Sequence, residues 1–365
     1  MRPGRITAID VARGVALVAM TIYHFTWDLD FFGWILQGTI SQPGWVGFAR
    51  AIATTFIALA GVSLVLAHGR GIRWRGFMVR LFQVSLAALA LSIVSYVQTT
   101  GPTVTEYLKG AFEASSTLGM FGHWLAFWNF PTPGPGFIFF GILHAIALFS
   151  LLALPFARLP WWISVIVAAV VFAIGWTGFF DLVTEPALLW LGLSPDVPNS
   201  NDYVPLFPWF AALLAGIALG KIAQATGLFA RMEAWHLPRP IERPLAFIGR
   251  HSLIYYLVHQ PLMFGALWLL TTYVAQPDPT PNFLAICERE CGNNSDERFC
   301  KAYCGCVADG FKAEGIFVPF TKGEVDVPMS VPAQTTIHSC RDEHRAPPVE
   351  GPLRPAPEPA PAPEG

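Results

Sequence analysis

"ITAIDVARGVALVAMTIYHFTWDL", residues 6–29, decides the fold. Most of it is apolar, yet it carries Asp10, Arg13, His24 and Asp28. A helix of about 20 apolar residues crosses a hydrocarbon core about 30 Å thick. A charged group at mid-depth costs about 2.5–3.5 kcal/mol on insertion scales, so such groups have partners or tasks. Asp10 and Arg13 stand at i,i+3, share a helix face and can pair. They could also line an entry for an anionic ligand. His24 and Asp28, at i,i+4, repeat the pattern, with His24 about 21 Å of helix rise beyond Asp10. A carboxylate there would fix the imidazole tautomer and leave the other ring nitrogen as a base. The bland alternative is an interfacial histidine among belt aromatics. Asp30 reads as a solvated spare carboxylate. Asp10 and Arg13 also interrupt the core that a signal peptide would need, so the run is expected to remain as a helix.

The rest of the chain has the same texture. It is 53% hydrophobic and 13% charged, with a mean hydropathy of +0.47. Soluble domains carry about a quarter charged residues. A net charge of −2 gives no reason to expect a nucleic-acid partner. Seven apolar spans are legible at about 6–26, 48–67, 77–97, 136–156, 160–180, 204–224 and 251–275. The expected fold is an all-α polytopic membrane protein with about seven transmembrane helices in the lipid bilayer. Arg70, Arg73, Arg75 and Arg80 lie around the junction of spans two and three. Lys221, Arg231, Arg239, Arg243 and Arg250 lie between spans six and seven. The alternate loops, 27–47, 98–135 and 181–203, hold Lys109 and no Arg. Basic loops stay cytoplasmic, which predicts an inner-membrane protein with a cytoplasmic N-terminus and an extracytoplasmic C-terminus.

Two later spans carry more polar groups. "FGILHAIAL" places His144 near mid-depth, and "GRHSLIYYLVHQP" places His259 there, with Tyr255 on its face and Pro261 just beyond. Each histidine could be a hydrogen-bonded strut between helices. Together, imidazoles from three distant spans could meet in one polar shaft. Such a shaft suits proton handling, transport or catalysis.

A set of motifs runs in order along the chain: "RITAIDVARGVALVAM" at 5–20, "YHFTWDL" at 23–29, "FIALAGVSL" at 56–64, "FGILHAIA" at 140–147, "PLFPWF" at 205–210 and "IGRHSLIYYLVHQP" at 248–261. The set resembles the bacterial branch of the heparan-alpha-glucosaminide N-acetyltransferase catalytic-domain family, over about residues 1–275. The resemblance implies a membrane-bound acetyltransferase that takes an acetyl group from cytoplasmic acetyl-CoA. The acceptor would be an amino or hydroxyl group of an extracytoplasmic glycan or glycolipid. It implies a histidine at the active site and no metal. The span count is lower than in the lysosomal enzyme, and Gln42 and Trp45 occupy the region of that enzyme's catalytic histidine. Chemistry therefore points to His24 and Asp28, with His144 and His259, as the catalytic set. Asp10, Arg13, Arg70, Arg73, Arg80 and Arg250 are the candidate cations and polar groups for the CoA end. A small-molecule transporter and a membrane anchor displaying the C-terminal segment are the competing readings.

All six cysteines lie outside the apolar part, at Cys287, Cys291, Cys300, Cys304, Cys306 and Cys340. The expected division is a membrane domain at 1–275, a linker at 276–281, a Cys-rich segment at 282–344 and a disordered Pro/Ala/Glu tail at 345–365. Cys287 and Cys291 are one helical turn apart, as are Cys300 and Cys304. Gly292 can end one helix, and Ser295 or Asp296 can cap the next. The geometry suggests a helical hairpin stapled Cys287–Cys304 and Cys291–Cys300, leaving Cys306 for Cys340. Six cysteines allow 15 pairings. A zinc or iron–sulfur site is the alternative, and it would need the segment on the reducing side.

Overall fold

The computed structural model describes residues 6–69, 71–113, 136–177, 186–194 and 198–344. Within them the chain is helical, with two isolated backbone bridges and no named strand. The apolar helices are α1 (Thr7–Phe31), α2 (Pro43–His68), α3 (Trp74–Glu113), α4 (Ile142–Leu152), α5 (Trp161–Thr177), α6 (Leu206–Ala225) and, after two short helices α7 (Leu228–Ala234) and α8 (Arg239–Arg250), α9 (Ser252–Leu269). Five stretches are long and apolar enough to cross a membrane: α1, α2, Trp74–Val97 of α3, α6, and α9 with its π-helical end to Val274. Backbone groups in lipid must be satisfied within the segment, which is why these stretches are helices. Phe82, Leu86, Leu89 and Ile93 form an exposed stripe at helical spacing on α3. On a water-soluble protein such a stripe would be a liability, whereas here it suits lipid.

Each of the seven expected spans contains a helix, but two are short. The fourth, expected over 136–156, is helical only from Ile142 to Leu152. Its first residues are extended: Gly136 bridges Ser200 and Phe140 bridges Tyr203. A short apolar run reads the same as strand or helix in sequence, so periodicity could not separate them. The third runs past its expected end at 97, because the helix continues to Glu113.

The chain divides into two compact units. The first holds residues up to Phe25 and Pro43–Phe264. Its largest core centres on α6, where Leu213, Leu214 and Ile217 are fully buried with Ile57 of α2 and Phe149 of α4. α6 packs against both α2 and α5. A second core joins Val84, Ala87 and Ala88 of α3 to Leu143 and Ala147 of α4. A third joins Leu17 and Met20 of α1 to Ile52 of α2, with Tyr255 and Tyr256 of α9 against it. Small residues let transmembrane backbones approach closely. Gly61 of α2 and Gly216 of α6 do this reciprocally, each facing the other helix's main chain.

The second unit joins residues 26–42 to Gly265 onward. Asn282 donates to the carbonyls of Gly33 and Ile35 and accepts from the Gln37 N–H, and Trp34 donates to Thr271. Asp30 is not solvated. It is 8% exposed and accepts the N–H groups of Gly38 and Ile40, closing the turn after α1. Beyond it lie α10 (Thr280–Gly292), α11 (Glu297–Ala313), α12 (Phe317–Thr321) and α13 (Val331–His344). Asp296 caps α11, accepting from the N–H groups of Arg298 and Phe299. The three disulfides are Cys287–Cys304, Cys291–Cys300 and Cys306–Cys340, the pairing expected from the hairpin. They flank a small core of Val307, Phe311, Phe317 and Ala333. So small a core needs covalent support. Replacing Cys306 and Cys340 together with Ser should lower the stability of this unit by about 3–4 kcal/mol, because that bridge closes the longest loop. Limited proteolysis of the full chain should then cut within 307–340, where the oxidised protein resists.

The buried histidine site

α1 and α9 bring two of the three expected histidines together. His24 and His259 meet edge to face, with ring centroids 5.2 Å apart. His24 also packs against Tyr23. His259 is 8% exposed. Its Nδ1 lies 2.8 Å from the Tyr256 carbonyl and 3.2 Å from that of Tyr255. Carbonyls only accept, so Nδ1 carries the proton and donates to them. In the neutral ring Nε2 then holds the free lone pair. Among the described residues Nε2 is buried without a hydrogen-bond partner.

Aromatic neighbours fix the ring. Tyr255 stacks on His259 at 5.8 Å and 6°, and Tyr256 tilts against it at 5.9 Å. The Tyr255 hydroxyl lies 2.7 Å from Thr21 Oγ1, which donates to the Leu17 carbonyl. One proton is thus accounted for by Thr21, and Tyr255 supplies the other. α9 is anchored to α1 one turn from His259 and one turn before His24. Asp28 is fully buried one turn beyond His24.

His144 is held by a separate set of bonds. It is the third residue of α4, and its Nδ1 accepts the Gly141 N–H at 3.3 Å. Nε2 lies 3.3 Å from Ser92 Oγ, which itself donates to the Ile138 carbonyl. Its tautomer is therefore opposite to that of His259, and both nitrogens are occupied. The next N–H, of Ile142, donates to Asp202 at 2.8 Å. Tyr256 also donates to Asp202, over 3.5 Å. So much protein surrounds the Asp202 carboxyl that burial raises its pKa, with the bonds from Ile142 and Tyr256 acting against that rise. Asp202 was not among the residues singled out from sequence. Its only flag was being the lone acid just before "PLFPWF". The extended strips 136–140 and 199–204 flank this corner.

The cationic candidates are more scattered. Arg13 pairs with Asp10 at 3.2 Å, as the spacing predicts, and also donates to Ser63. Arg73 donates to the Ala67 carbonyl at the end of α2. Arg80 and Arg250 are exposed. Arg70 lies outside the described residues. The donor atoms of Cys306, Glu343 and His344 lie within 4.8 Å of one another, but Cys306 is already bonded to Cys340. A disulfide sulfur is not the thiolate that a metal takes.

No curated protein and no solved structure matches the chain. A family model described as heparan-alpha-glucosaminide N-acetyltransferase, catalytic, matches residues 5–106 and 116–261. Every described group of the histidine cluster falls inside those limits, from Thr21 to His259. With well over half of its length matched, the chain belongs to the heparan-alpha-glucosaminide N-acetyltransferase catalytic family, and its function is of the membrane acetyltransferase kind.

Proposed function

We propose that the protein moves an acetyl group from cytoplasmic acetyl-CoA to an amino or hydroxyl group of an extracytoplasmic sugar acceptor. The observation that carries the reading is the His24–His259 pair, drawn from helices at opposite ends of the matched region, with the His259 lone pair uncommitted. An acceptor N–H or O–H cannot attack a thioester efficiently until a base takes its proton. His259 Nε2 is that base. The acceptor's lone pair forms a bond to the acetyl carbon, the carbon–sulfur bond breaks, and the imidazolium returns its proton to the CoA thiolate. If the imidazole itself takes the acetyl group first, the same lone pair is used and the acceptor attacks in a second step. His24, with Asp28 one turn on, faces His259 and shares the proton. His144, both nitrogens engaged, holds the start of α4.

The CoA phosphates need cations, and Arg73, Arg80 and Arg250 supply them at the cytoplasmic rim, with the Asp10–Arg13 pair at the entry. The basic loops favour that side for them. The test uses sealed vesicles with glucosamine trapped inside and acetyl-labelled acetyl-CoA added outside to chains whose cytoplasmic face is outward. Labelled N-acetylglucosamine should accumulate inside. Glucosamine efflux without label transfer would instead indicate a carrier.

A further inference from the structure

The geometry points to Asp202 as a positioning residue of the site: its carboxylate, held on the first turn of α4, takes the Tyr256 hydroxyl and so sets the ring that walls His259. The inference rests on the acetyl-transfer reading for its catalytic consequence, though not for its geometry. Three observations support it. Asp202 Oδ2 accepts from the Ile142 N–H at 2.8 Å, so the carboxylate is anchored to an element that does not carry His259. The same oxygen is the acceptor for Tyr256 on α9. At Gly141 a Cβ would fall 2.3 Å from that oxygen, so a larger residue there would push the carboxylate off its present place.

Tyr256 is the joint through which this acts. Its ring packs against the α6 core, the α3–α4 core and the α1–α2 core at once. Its carbonyl accepts a hydrogen bond from His259 Nδ1–H, and its ring lies 5.9 Å from the imidazole. A ring in such a place needs its hydroxyl satisfied, because an unmet buried hydroxyl costs about 1–3 kcal/mol. Asp202 meets that need from outside the spanning helices. It thereby ties the start of α4, the helix that carries His144, to the helix that carries His259. An N-cap alone would need none of this, since Asn caps a helix as well as Asp.

The experiment is a double-mutant cycle on the full-length protein in detergent, with Asp202→Asn, Tyr256→Phe and the double variant, each checked for a single size-exclusion peak. Tyr256→Phe keeps the packed ring and so remains informative if Asp202→Asn misfolds. Two readouts are taken. The first is acetyl transfer, where each single change should lower kcat about tenfold with the KM for acetyl-CoA within threefold, and the double change should fall no further. The second is the rate at which diethyl pyrocarbonate modifies His259, followed by mass spectrometry. It should rise at least threefold in each variant, by the same factor, with no need for turnover. A wild type that transfers no acetyl group sinks the catalytic reading, while the labelling decides the Asp202–Tyr256 link by itself. Unchanged labelling, or losses in kcat that multiply in the double variant, would overturn the link.

Discussion

His259→Ala should cut acetyl transfer by about a hundredfold to ten-thousandfold, the range over which a positioned general base acts. The reasoning is geometric. His259 has its Nδ1 proton committed to two helix carbonyls, so its Nε2 keeps an uncommitted lone pair on a ring that faces a second imidazole. His24→Ala should fall in the same range, and the double variant should lose little more than either single one, because the two rings act as a unit. His144→Ala should behave differently. It removes the acceptor for Gly141 and the donor to Ser92, so thermal stability should fall and turnover of the folded fraction should drop less than in His259→Ala. Release of free CoA from acetyl-CoA with an amine acceptor measures all four. Turnover of His259→Ala within threefold of wild type would remove this base from the mechanism.

Gly216→Val should prevent recovery of folded protein from the membrane. Even the first carbon of a side chain there would lie 2.0 Å from the Ala58 carbonyl oxygen, well inside contact distance. Across the crossing, a Cβ on Gly61 would lie 2.2 Å from the Leu213 oxygen. Neither obstacle is a flexible side-chain tip; both are helix backbone. The helices must therefore separate, and α6 would lose its seat beside Ile57 in the main core. Overpacking of ordinary cores costs about 1–3 kcal/mol and occasionally more. A collision with helix backbone at such a close crossing belongs at or above the top of that range. Size-exclusion profiles of detergent extracts decide it: a monodisperse peak at wild-type yield and melting temperature would show that the crossing is looser than described.

Much of this was legible because it follows from local rules. Spacing alone put Arg13 on Asp10, and apolar run lengths located the helices. The cysteine hairpin was readable since one-turn spacing, a helix-ending Gly292 and a capping Asp296 all agree. The His24–His259 meeting was expected only as a joint possibility, because no periodicity relates residues so far apart. Asp202 escaped for the same reason. Its partners, Ile142 and Tyr256, lie 60 and 54 positions away, and the loop around it has no period. The late start of the fourth helix was hidden because "GFIFF" is as apolar when extended as when helical.

The grouping of residues 26–42 with the cysteine-bearing segment alters where this protein can be divided. A chain ended at 275, on the strength of composition, would keep the turn at 33–37 but discard Asn282, the side chain that closes it. What looks like a removable appendage is stitched from two stretches far apart in the polypeptide, and the shorter of them begins within the helix that bears His24.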